Sequence, residues 1–324
     1  MHHLRLLAGH WQTSGIQLTA VFQSRYFPQP PSSAPLQVCL SSPISFMVFG
    51  LICTPGPIVG GFITQSHLGW RWTQWLTLIM AAASMLTALI FVPETYAPII
   101  LSRRAKARRF ETKNWALHAK IDEQQTRLSD ILTRYLFRPL QMLIQEPILL
   151  LITLYMAFIY GILYLFFEAY PVSFQEERGW NLGVGALPFL SLTIGVIFGA
   201  TFVSYLTKTR FARKMKEQGH VVPEERLPPM MLGAFMLPAG LFWFAWTSSP
   251  HITWVPQVLS GIPIGMAIFM IFMQGINYII DCYLMNANSA LSANTLIRSF
   301  AGAGFPLFAV QMYHKLVSKF TLES

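Results

Sequence analysis

Arg298 is the residue whose placement demands an explanation first. It sits in the middle of an apolar run, roughly 288–311, beside Asn294 and Ser299. A charged side chain at mid-membrane depth costs about 2.5–3.5 kcal/mol on insertion scales unless something neutralises it. The position therefore predicts a buried pairing, with a carboxylate or helix-end carbonyls, that involves Arg298 and its neighbour Asn294; direct substrate contact is the alternative. Glu168 ends another apolar run among Tyr164, Phe167 and Tyr170. It reads either as a functional carboxylate or as an interfacial one reaching headgroups. Tyr160 and Tyr164 lie one helical turn apart on one face. They form either an aromatic wall along a substrate path, suited also to cations, or a packing stripe. Asp281 closes a further run, as a solvated helix-end charge or a gate. Glu94 follows Pro93 close to Arg103 and Arg104, as part of a charged gate or latch or as a solvated charge. The chemistry open to such a set is control of solute and charge within an apolar layer. No HExxH, phosphate-binding loop, nucleophile elbow or catalytic triad spacing occurs, and His118, His220, His251 and His314 are isolated. Neither an enzyme, a cofactor nor a metal is expected.

A second constellation is Pro55-Gly56-Pro57-Ile58-Val59-Gly60-Gly61-Phe62, inside an apolar run. Gly and Pro are poor helix formers in water but are tolerated in membrane helices, where small residues let two helices approach closely.

The elements that must position these residues are long apolar runs. Seven are read at roughly 43–66, 73–93, 144–167, 184–206, 230–248, 254–279 and 288–311, each near the length that spans a bilayer. Composition agrees. Of the 324 residues 53% are hydrophobic, only 11% are charged, and the mean hydropathy is +0.46, whereas soluble domains carry about 25% charged residues. The net charge of +9 lies in connections between runs, which argues against nucleic-acid binding and for a membrane surface. Cys39, Cys53 and Cys282 show no metal spacing. Cys53 and Cys282 lie in or beside apolar runs, so buried, reduced thiols are expected.

Charge also orients the chain. Basic residues crowd 101–139 and 207–228, while 67–72, 172–183 and 249–253 hold only Arg71 and Arg178 as fixed positive charges. The alternation places the two basic stretches in the cytoplasm. Four regions follow: a poorly ordered leader, 1–42; two spans, 43–93; a cytoplasmic central loop, 94–143; and five spans, 144–324. Within the loop, Ile121, Leu128, Ile131, Leu132 and Tyr135 recur at helical spacing, as in a helix lying on the inner membrane surface. Arg71, between Trp70 and Trp72, reads as an interfacial anchor.

The GP-x-x-GG cluster resembles the antiporter motif of the fifth helix of drug:proton antiporters in the major facilitator superfamily. The likeness continues through Gly69-Trp70-Arg71-Trp72, Pro93-Glu94-Thr95-Tyr96-Ala97-Pro98, Tyr160-Gly161-Ile162-Leu163-Tyr164 and Phe167-Glu168-Ala169-Tyr170-Pro171. Later come Pro223-Glu224-Glu225-Arg226-Leu227, Asp281-Cys282-Tyr283, Asn294 with Arg298, and Phe305-Pro306-Leu307-Phe308. In order and spacing these resemble the fungal-type multidrug transporters of the twelve-span branch. The resemblance runs from about Gly56 to His314, corresponding to family helices five to eleven. It implies an all-α membrane protein, a partial major facilitator bundle of about seven transmembrane helices. It also implies that Gly56, Pro57, Gly60 and Gly61 serve as the antiporter motif. Two motif glycines are replaced, by Pro43 and Ile52. Counterparts of the first four family helices, with their gating motif and proton-coupling residues, and of the last helix are not found. A spurious or spliced leader would account for 1–42.

The resemblance implies a secondary transporter that exports amphipathic drugs or other small organic compounds in exchange for protons. Its partners would be a small organic substrate, protons and membrane lipid. It would be a multi-pass protein of the plasma membrane, with the vacuolar membrane as alternative. A polyamine transporter and a truncated, non-transporting fragment stay open. A seven-span receptor matches the number of runs but not the long basic connection after only two of them.

Overall fold

The computed structural model describes residues 55–67, 69–91, 97–119, 137–218, 222–249, 251–283 and 286–322. The leader 1–42, the first part of the first run, Glu94, Cys39, Cys53 and the periodic stretch 121–135 lie outside them.

The first two runs give α1, Pro55–Gln65, and α2, Arg71–Phe91. Pro55 opens α1, where a missing N–H costs nothing. Gly69 makes the turn to α2 at φ +70°, a conformation that favours glycine. Trp75, Leu78, Ile79, Met80, Met85 and Leu86 of α2 are exposed. An apolar face of that kind suits lipid rather than water. The central loop contains α3, Ala97–Thr112, which carries five basic residues, Arg103, Arg104, Lys106, Arg108 and Arg109. A short helix, α4, Arg138–Gln145, leads to the third run.

The remaining runs form the packed body. They are α5, Pro147–Tyr170; α6, Phe189–Leu206; α7, Ala212–Gln218; α8, Leu227–Trp246; α9, Trp254–Leu259; α10, Gly261–Tyr283; and α11, Ala287–Leu322. Among the described residues four stretches are long and apolar enough to cross a membrane: Pro147–Glu177, Val184–Lys214, Pro223–Trp246 and Trp254–Tyr283. The seventh run lies within the 36-residue α11, which has Pro306 in its interior. The third run does not stop at 167. Pro171 has no N–H to give to the turn before it, and the helix continues as a wider π-type coil over Pro171–Glu177. The sixth run is divided at Ser260 into α9 and α10.

Helix α10 is the centre of the body, with α5, α6, α8 and α11 packed around it, and α11 lies along α5. The contact with α6 is close because both helices present glycine at the crossing. A Cβ on Gly195 would collide with the backbone carbonyl of Ile262, and one on Gly265 with that of Leu192. With lipid as solvent there is little hydrophobic drive between helices, so backbone approach of this kind supplies the packing.

Candidate functional site

The end of the bundle that carries the basic segment 207–228 is closed by charge. Arg226 ends a short 3₁₀ turn, Pro223–Arg226, before α8, and Asp281 is in the last turn of α10. The Arg226 Nε donates to Asp281 Oδ2 at 2.9 Å, and the side chains are only 3% and 12% exposed. The Arg226 guanidinium also lies 4.1 Å from the Phe211 ring centre. Asp281 is therefore not a solvated helix-end charge: it is an ion-pair partner recessed between α8 and α10. Beside it, Glu225 accepts from Arg210 Nε at 2.9 Å and from Lys214 Nζ. The turn before α8 is thus tied to α10 by a buried pair and to the segment after α6 by a half-exposed set of charges.

Toward the interior, Arg298 of α11 is buried, 6% exposed. Its guanidinium lies 4.9 Å from the Tyr160 ring centre and 5.4 Å from that of Phe272. Aromatic faces attract a desolvated guanidinium by about 2 kcal/mol. Tyr160 and Tyr164 meet edge to face at 4.9 Å, with hydroxyls 3.2 Å apart. Gly302 makes room for both, since a Cβ there would come within 2.8 Å of the Tyr160 ring. One turn from Arg298, Asn294 Nδ2 donates to Thr153 Oγ1 at 3.4 Å and faces the Met156 sulfur at 3.6 Å. Tyr160, Tyr164, Asn294 and Arg298 thus form one cluster between α5 and α11. Glu168 is half-buried two turns further along α5.

The opposite end is held by neutral groups and one arginine. Arg178 Nη1 donates to the Ile252 carbonyl at 2.9 Å and Nη2 to that of Ser249 at 3.1 Å. Gln257 Nε2 donates to Ser173 Oγ at 2.6 Å, both side chains buried. The GP-x-x-GG helix docks at this end. A Cβ on Gly61 would lie 2.7 Å from the Leu182 carbonyl oxygen, and one on Gly183 would lie 2.6 Å from the Phe62 ring. The Gly183 N–H donates to Gln65 Oε1 at 3.3 Å. Gly56 and Gly60 have nothing within 4 Å of such a Cβ, so of the motif glycines Gly61 makes the close approach.

A model of the Major Facilitator Superfamily matches residues 39–306. This chain belongs to the major facilitator superfamily. Among its relatives, the citrinin biosynthesis cluster MFS transporter mrr1 of Monascus ruber is 58% identical over 262 residues, 81% of this chain and 52% of the relative. The ascochitine biosynthesis cluster MFS transporter of Didymella fabae is 56% identical over 262 residues, 81% and 51% respectively. The MFS-type transporter tazK of Aspergillus terreus is 45% identical over 276 residues, 84% and 78%. The chain spans about half the length of most of these curated relatives. No solved structure matches. The protein is a multi-pass membrane protein of a transporter superfamily, not an enzyme.

Of the residues singled out for this superfamily member, the structure gathers Tyr160, Tyr164 and Asn294 near Arg298 and puts Asp281 and Gly61 at opposite ends of the bundle. Sequence reasoning missed Arg226, Gln257 and Thr153. Arg226 stood in the sequence only within the Pro223–Leu227 stretch of the resemblance, four residues before an apolar run, and nothing there marked Asp281 as its partner. Cys282 corrects an expectation, since its thiol is free but exposed: it lies in the last turn of α10, beside the recessed Asp281.

Proposed function

We propose that this major facilitator protein exports small amphipathic organic compounds in exchange for protons, as in the twelve-span drug:proton branch. The membership of relatives in citrinin and ascochitine biosynthesis clusters favours products of secondary metabolism as the substrate class. The plasma membrane is the proposed location. In this reading α1 and α2 correspond to the fifth and sixth family helices, and α5, α6, α8, α10 and α11 to the seventh through eleventh. The seating of Gly61 and Phe62 on Leu182 and Gly183 carries the reading. It is a contact between the two apolar groups of the chain at one end, where a rocking bundle would close its path. The Arg226–Asp281 pair is the proposed latch at the other end, and the basic stretches 101–139 and 207–228 are proposed to face the cytoplasm. In intact cells a membrane-impermeant maleimide is expected to label cysteine introduced at Asn181 and to leave cysteine at Ala116 unlabelled. The reverse pattern would overturn the orientation.

The Tyr160–Tyr164–Arg298 cluster is proposed to hold α11 against α5 beside the substrate path, Glu168 lying further along it. Efflux of a preloaded fluorescent amphiphile tests this. Arg298→Ala is expected to lower the yield of folded protein and to slow efflux of every substrate together. Arg298→Lys should recover part of the loss, because it restores the charge but not the planar group that stacks on Tyr160 and Phe272. Unchanged yield with loss of a single substrate would assign Arg298 to substrate contact instead.

A further inference from the structure

At the basic end, a cavity of about 160 Å³ opens between α6 and α8, with Gln274 of α10 on its lining. Phe202 and Leu206 of α6 and Pro228, Pro229 and Leu232 of α8 make its walls apolar. Leu232 is exposed, and Phe202 and Leu206 are half-buried. Both walls belong to stretches apolar enough to cross a membrane. The polar rim of the cavity is Arg210, with Glu225 and Arg226. Arg210 gives one edge to Glu225, yet 51% of its side chain remains exposed. Lys208 and Arg213, both exposed, lie within three residues of it, Arg213 beside Glu217, while Lys214 is held by Glu225. The second feature is on the lining: Gln274 is 2% exposed, and its side-chain oxygen has no hydrogen-bond partner among the described residues.

We propose that this cleft is a binding site for an anionic phospholipid. The headgroup phosphate lies against the exposed edge of Arg210, in the basic field of the segment that also carries Lys208. An acyl chain follows the wall formed by Phe202, Leu206 and Leu232. A headgroup or glycerol-region donor can reach toward the Gln274 oxygen. Basic recesses between transmembrane helices favour anionic headgroups, and each basic side chain near the membrane surface is worth about a fivefold preference. The two features fit a lipid better than a free anion, because a free anion would leave the apolar walls unused.

The test is native mass spectrometry of the purified protein in detergent with equal amounts of phosphatidylserine and phosphatidylcholine. Phosphatidylserine adducts should exceed phosphatidylcholine adducts by at least about fivefold. Arg210→Gln should bring the ratio towards one. Leu232→Trp, which fills the cleft from its exposed side, should lower retention with all charges intact. Both variants should keep a cooperative melt close to the wild-type temperature in lipid-free detergent, since Lys214 still holds Glu225 in the Arg210 variant, and this separates a lost site from a lost fold. Equal retention of the two lipids would overturn the proposal. So would a preference that neither variant changes, which would indicate diffuse surface charge. Complete displacement by inorganic phosphate would show an anion site without a lipid and would overturn it too.

Discussion

Replacing Gly195 by leucine is expected to leave almost no folded protein. The Cβ alone would collide with the Ile262 carbonyl, and a backbone atom cannot rotate away as a flexible side chain can. Overpacking in a protein core costs typically 1–3 kcal/mol. Here α6 and α10 would have to separate along the centre of the bundle, so the upper end of that range is expected. Gly265→Ala should behave similarly, because it meets the Leu192 backbone from the other side. Gly60→Ala is the control, since nothing lies within 4 Å of the added carbon. Monodispersity of a fluorescent fusion on size-exclusion chromatography reads the result. A sharp, wild-type peak for Gly195→Leu would show that the α6–α10 crossing is looser than described.

The second large effect is expected at Arg226. Arg226→Ala strands Asp281 in a recess where its side chain is 12% exposed. Breaking one side of a buried pair costs about 3–5 kcal/mol, because the remaining charge stays desolvated. Much of the loss should therefore return when the partner is removed as well. The double variant Arg226→Met with Asp281→Leu is expected to regain folding, since packed apolar groups often replace a buried pair without penalty. Transport should stay low in that variant if the pair is the latch between conformations. The check is a thermal melt of each single and double variant, followed by efflux at matched amounts of folded protein. An unchanged melting temperature for Arg226→Ala would remove the pair from the account.

Much of this architecture was legible in the chain because membrane helices are written as length and apolarity. The third to sixth runs coincide closely with helices, and Arg298 stood out because a charge inside an apolar run has few physical excuses. What stayed hidden depended on contacts between distant segments. Arg226 and Asp281 are 55 residues apart, and each taken alone reads as a solvated terminus. The stacking of Arg298 on Phe272 needs α10 and α11 side by side, which no local pattern encodes. Likewise, the motif glycines Gly56, Gly60 and Gly61 look equivalent in sequence. Only the approach of Leu182 separates Gly61 from the others. Local chemistry explains the remaining differences. Pro171 widens the end of α5 instead of stopping it, and the break at Ser260 lets Gln257 turn toward Ser173.

The central claim, substrate movement driven by a proton gradient, is tested most directly in inside-out membrane vesicles containing the protein. The cytoplasmic face is then outward, so an antiporter should take labelled organic substrate into the lumen while protons leave it. With the membrane potential collapsed and the lumen one pH unit more acidic than the medium, one-for-one exchange should support about tenfold accumulation, since one pH unit is worth about 1.4 kcal/mol. Accumulation should vanish on adding a protonophore. Uptake that persists without the gradient, or that runs only when the lumen is alkaline, would contradict proton-coupled export.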